Sequence, residues 1–213
     1  MDRSSGGLTP SSGMIESIRA VTALPLAILI RPRAGDFLYD SAEYALMRRD
    51  VIHCRELGAE AVVVGISKAD GTIDLARTAE LTALARPMDV VFHRAFDLTP
   101  NVHEALDQLI ELGVDRVLTS GAAPTAQEGI PVIGRLVDQA AGRITILAGG
   151  GIRPANAKEI VDRTGVSEIH LSGSGNVESS MHFRREGVVL GETGYGWSET
   201  DATMIAGTVE ALR

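Results

Sequence analysis

Six short apolar runs punctuate this chain, and each ends on a polar or glycine-rich cluster. Leu26–Ile30 meets Arg31-Pro32-Arg33, Ala61–Ile66 meets Ser67-Lys68, and Val90–Phe92 meets His93-Arg94. Further on, Val117–Leu118 meets Thr119-Ser120-Gly121, Ile144–Ala148 meets Gly149-Gly150-Gly151, and Val166–Leu171 meets Ser172-Gly173. Near-continuous aliphatic runs are the pattern of parallel strands covered by helices, and ligands in such folds collect beyond the strands' carboxyl ends. Helix ends are readable between the runs. Asp40 with Glu43 makes a capping box for a helix that reaches Leu57 and is closed by Gly58, and Asp74 caps one that ends before Pro87. Thr99-Pro100 opens a helix closed by Gly113, Pro154 starts one running through Arg163, and Ser198 with Asp201 opens a last one through Leu212. Strand followed by helix, repeated, gives an α/β chain whose parallel strands are joined by helical crossovers.

The units resemble one another. Glu56-Leu57-Gly58-Ala59-Glu60-Ala61-Val62 and Glu111-Leu112-Gly113-Val114-Asp115-Arg116-Val117 repeat one helix-to-strand turn, and Gly165-Val166-Ser167-Glu168-Ile169 is a third copy. Like units with no signalled reversal of strand order favour a TIM (β/α)8-type barrel over an open sheet. No G-x-G-x-x-G follows the first run, so no nucleotide cofactor is implied. Six runs fall short of the eight strands, in roughly 250 residues, that such a barrel uses.

Composition narrows the partners. A chain of 213 residues that is 45% hydrophobic can bury a full core, and one domain over residues 1–213 is expected. A net charge of −8 and a pI near 5.1 speak against nucleic acid and anionic membranes. The longest apolar stretch, Ala20–Ile30, is broken by Thr22 and Pro25 and falls short of the roughly 20 residues of a membrane helix. Residues 1–7 lack the apolar centre of a secretion signal, and the single Cys54 has no partner for an internal disulfide, so a cytoplasmic location is expected.

Candidate chemistry sits at the run ends. Gly149, Gly150 and Gly151 lead through Arg153-Pro154 into a helix, and Ser172 with Gly173 follows the next run; bare amides beside a helix start suit a small anion, although tight turns alone also use such glycines. Strand alternation puts His93 inside and Arg94 on the other face. His93 is the candidate acid or base, with Asp97 to orient it, or else a histidine that only hydrogen-bonds a neighbouring strand end, and Arg94 can instead anchor the loop by pairing with Asp97. His170 and Ser172 share one face and point to the mouth; His170 is a second catalytic candidate, and two histidines without further ligands make a poor metal site. Arg31 and Arg33 share parity, with Asp36 just beyond to hold one of them, and suit an anionic ligand or simple ion pairs. Ser120 can donate to a ligand but lacks a nucleophile elbow. Cys54, spaced with Leu46, Met47 and Val51, reads as a buried helix residue, and Ser180–Trp197 reads as an exposed loop.

Several of these strings together resemble the CutC copper-homeostasis family: Ile30-Arg31-Pro32-Arg33-Ala34-Gly35-Asp36-Phe37, Phe92-His93-Arg94-Ala95-Phe96-Asp97, Arg116-Val117-Leu118-Thr119-Ser120-Gly121, Ala148-Gly149-Gly150-Gly151-Ile152 and Glu168-Ile169-His170-Leu171-Ser172. The resemblance runs from about Gly6 to about Arg184. It implies a TIM barrel, a cytoplasmic location, a role in copper homeostasis and copper as a bound ion, with no ligand set attached. Family members open with a strand, a helix and a second strand ahead of the segment that here is Gly6-Gly7-Leu8-Thr9-Pro10. The expectation is therefore a barrel incomplete at its N-terminus, with about six of eight βα units, two open strand edges and a tendency to pair as a homo-oligomer. Two functions remain in play. One is CutC-type copper handling; the other, from the residues, is a lyase or isomerase acting on a small phosphorylated or carboxylated metabolite.

Overall fold

The apolar runs form six parallel strands, hydrogen-bonded in chain order: β1 (Ala27–Leu29), β2 (Ala61–Val64), β3 (Asp89–Phe92), β4 (Arg116–Thr119), β5 (Thr145–Gly149) and β6 (Glu168–His170). The computed structural model describes residues 7–188 and 194–213. Helix α1 (Ser12–Val21) precedes the sheet, and α2 (Ser41–Glu56), α3 (Leu75–Ala85), α4 (Val102–Glu111), α5 (Ile130–Ala140) and α6 (Pro154–Thr164) follow β1 to β5 in turn. After β6 come an antiparallel ribbon of β7 (Ser174–Val177) and β8 (Trp197–Thr200) and a last helix, α7 (Ala202–Ala211). The sheet curls into a half-barrel of TIM type, with β1 and β6 at its edges.

Local chemistry explains most boundaries. Asp40 and Glu43 form the reciprocal cap of α2, and Asp74 and Asp201 cap α3 and α7. The helix expected from Thr99 starts instead after Asn101, whose carboxamide oxygen accepts from the His103 and Glu104 amides at 3.1 and 3.3 Å. Thr99 is not free to cap, because a 3₁₀ turn (Arg94–Leu98) fills the preceding residues and the Thr99 hydroxyl donates back to the Phe96 carbonyl at 2.8 Å. The end of the Ser180–Trp197 loop is likewise not loop: Trp197 opens β8 against Val177, while residues 189–193 lie outside the described residues.

Register sorts the strand residues into two faces. Ile28, Val62, Val90, Phe92, Val117, Ile146 and Ala148 face the helices and belong to the core with Phe96, Leu106, Leu109, Leu136 and Ile160. Truncating one of the large core side chains to alanine costs about 2–5 kcal/mol. Leu29, Val63 and Val91, then Leu118, Leu147 and Glu168, line the inside of the curl. At the strand starts that inner face carries charge, and it is paired: Arg116 donates to Asp89 at 2.6 Å and to Glu168 at 2.9 Å.

Candidate functional site

Continuing the inner-face alternation to and past the strand ends brings Arg31, Gly65, His93, Ser120, Gly149, His170 and Ser172 to one rim. His93 is 6% exposed and caps the start of the 3₁₀ turn, with its Nδ1 accepting from the Ala95 amide at 3.1 Å. The ring lies in the space opened by Gly65, where an added Cβ would fall 2.3 Å from Cε1, and the Phe37 ring sits 4.5 Å from it at a tilt. Burial pushes its pKa down to about 3, and the Arg31 charge acts in the same direction. The imidazole is therefore neutral near pH 7, the form in which its Nδ1 accepts from the Ala95 amide and its Nε2 carries the proton. Its Nε2 is buried with no hydrogen-bond partner among the described residues, as is the Tyr39 hydroxyl.

Asp97 does not orient His93. Its carboxylate, 5% exposed, accepts from Arg94 Nε at 2.7 Å, the Ser120 amide at 3.0 Å, the Ala122 amide at 3.1 Å and the Thr119 hydroxyl. The 3₁₀ turn breaks strand alternation after Phe92, so Arg94 also reaches the rim, donating to Ser120 Oγ at 2.7 Å. A Cβ on Gly150 would lie 3.3 Å from Arg94 Nη1 and 3.2 Å from Ser120 Cβ, so Arg94, Ser120 and the Gly150 backbone form one patch. Gly150 and Gly151 hold φ of 106° and 73°, conformations that side chains resist, and the Arg153 amide is met by Asn156 Oδ1 at 2.8 Å. Gly149 lets Leu118 and His170 close in, since a Cβ there would meet Leu118 Cδ1 at 2.5 Å.

The other candidates differ in burial and partners. Arg31 is buried and donates to the Gly7 and Gly35 carbonyls at 3.1 and 2.8 Å, with its guanidinium 5.2 Å from the Phe37 ring. Arg33 is held by Asp36 at 2.9 Å and Glu43 at 2.5 Å, so that pair braces the start of α2. Hydrogen bonding to Arg33 first, and to the Leu38 amide second, draws the Asp36 pKa down. His170 and Ser172 are exposed; Ser172 Oγ lies 3.2 Å from Ser174 Oγ. Gly173 turns away from the rim and packs under α7, where a Cβ would meet Ile205 at 2.5 Å. Gly65, Phe37 and Tyr39 were not singled out by sequence. The signal for Gly65 was there, since a glycine inside a strand-like run marks a close approach.

Behind Arg31 a cavity of about 370 Å³ is lined by Thr9, Asp50, His53 and Cys54. Cys54 shares a buried face with Met47 and Val51, while Leu46 is exposed. Burial raises its thiol to about 11, with Asp50 adding in the same sense, so it stays protonated. Among the described residues no three His, Cys, Asp or Glu side chains converge as metal ligands. His93 could ligate through Nε2 only by giving up the proton that its Nδ1 bond to Ala95 fixes there. These donors do not fit a copper ion.

The CutC family profile matches residues 2–175. The CutC family protein of Chromobacterium violaceum is 45% identical over 210 residues, covering 97% of this chain and 85% of that protein. The copper homeostasis protein cutC homolog of Mus musculus is 40% identical over 204 residues, covering 94% and 75%. The crystal structure of CutC from Streptococcus agalactiae superposes with a TM-score of 0.76 at 34% identity, covering 79% of this chain and 84% of that one. The matched span carries the inner-face arginine, the His93-to-Asp97 turn and the triple glycine alike, and with identity of this depth the chain belongs to the CutC family.

Proposed function

We propose that this protein serves copper homeostasis in the cytoplasm, and that it acts through a small anionic ligand at the rim rather than by coordinating copper with its own donors. The observation that carries the first half is the 40% identity to a mouse protein named for copper homeostasis. The cytoplasmic placement rests on the family resemblance and on a lone, unpaired thiol. No helix among the described residues is long and apolar enough to cross a membrane.

Donor chemistry supports the second half. Cu(I) prefers soft sulfur ligands, and the one thiol is buried and protonated. The rim instead offers Arg31, Arg94, Ser120 and the Gly150 loop, the cationic and hydrogen-bonding groups that oxyanions use. A lyase or isomerase reading would need His93 or His170 to move a proton, and the family names favour copper handling instead. The unpaired edges of β1 and β6 support association with a second copy, which sedimentation measures directly.

A deletion strain challenged with copper tests the role: reduced tolerance restored by the wild-type gene is expected, and unchanged tolerance would overturn it. Competition against a Cu(I) chelator tests the mode. No stoichiometric uptake is expected, and one tightly held equivalent would defeat the anion reading of how the protein acts.

A further inference from the structure

We propose that His93 presents its Nε2–H as a neutral hydrogen-bond donor to an oxygen of a small oxyanion, a carboxylate or a sulfate- or phosphate-like group, taken up beside Arg31 on the inside of the curl. This deepens the anionic-ligand reading above and rests on it, naming the side chain that reads the ligand.

The tautomer follows from geometry. The Ala95 amide donates to Nδ1 at 3.1 Å, so Nδ1 carries the lone pair and the proton sits on Nε2. That donor is buried with no partner among the described residues, a condition that costs about 1–3 kcal/mol and calls for an acceptor. One side of the ring is occupied by the Gly65 backbone and the other is faced by Phe37, which belongs to the irregular residues 30–40 between β1 and α2. The acceptor must lie in the ring plane beyond Nε2, and the Arg31 guanidinium, which lies over the Phe37 ring packed against the imidazole, supplies positive charge close by.

Few other charges reach the imidazole. Arg31 stands beyond β1, with Tyr39 beside it; Arg94 and Asp97, on the turn that follows His93, are bonded to each other; β2 presents Gly65 and no charge there. A neutral donor next to a fixed cation binds an anion without gaining strength as pH falls through the ordinary histidine range, which an imidazolium would do.

The experiment uses the full chain labelled with nitrogen-15, titrated separately with oxalate and with sulfate near pH 5.5 and near pH 7.5, where neither anion changes charge. Saturable movement of the His93 Nε2 resonance with one of the two is expected, with equal affinity at both pH values. His93→Phe should weaken binding about tenfold, the worth of one hydrogen bond, while His93→Gln, which keeps an N–H, should retain most of it. Oxalate acting alone assigns a carboxylate ligand, and sulfate acting alone a tetrahedral one. Tighter binding at the lower pH, or full affinity in a folded His93→Phe, overturns the proposal. Movement of the Gly150 and Gly151 amides with His93 unmoved overturns it too but leaves the anionic-ligand reading standing; no movement anywhere ends both.

Discussion

Arg116 at the start of β4 and His93 just past the end of β3 stand on the same inner face of the sheet, in opposite surroundings. Arg116 is about one-third exposed and bonded to two carboxylates, so the strand starts are closed by charges that satisfy one another. His93 is buried, uncharged and left with an unmet donor, beside a second unmet group on Tyr39. Polar groups that neutralise each other hold a fold together, whereas a buried donor with no acceptor from the described residues costs stability until something meets it. Thr78 on α3 is the other buried, unmet hydroxyl among these side chains, so the contrast is between two ends of one face and not a census of the molecule.

Four measurements sharpen or break this contrast. The largest effect is expected at Asp97, which gathers four donors in a nearly dry site: Asp97→Ala should lower unfolding free energy by about 3–5 kcal/mol, read from urea midpoints. A loss below about 1 kcal/mol would mean that the rim is not organised by that carboxylate.

Acid titration comes next. The folded His93 value of about 3 lies below its unfolded value near 6.5, so the unfolded chain takes up the proton first. Stability is whole above that upper value and drains by at most about 1.4 kcal/mol per pH unit as pH falls towards 3, a slope that His93→Gln should remove from this residue's share.

Gly65→Ala should cost about 1–3 kcal/mol, because the new methyl collides with the imidazole, and should be largely repaired by adding His93→Ala. Additive losses would place the ring elsewhere. The smallest change belongs to the strand starts: Arg116→Met should cost about 1 kcal/mol or less, since its partners are well exposed and solvent screens the pairs.

Much of this was legible in the residues. The six strand ends, the caps at Asp40, Asp74 and Asp201, and the inner placement of Arg31 and His93 all follow from periodicity and short-range hydrogen bonding, which sequence carries directly. What failed depended on contacts distant in the chain or on the backbone leaving its period. Arg94 was assigned to the outer face because alternation was extended one residue too far, into a 3₁₀ turn. Of the two roles open to Asp97, pairing with Arg94 is the one formed and orienting His93 is not, and its further partners Thr119, Ser120 and Ala122 lie on the next unit, out of reach of any local pattern. Gly173 looked like a ligand loop and is a slot for Ile205, which no local pattern announces.

The most direct test is the protonation state of one ring. Long-range nitrogen–proton NMR of His93 in the free protein should show the Nε2–H tautomer, unchanged from pH 8 down to about pH 4. A midpoint near 6.5, or a proton found on Nδ1, would contradict the account.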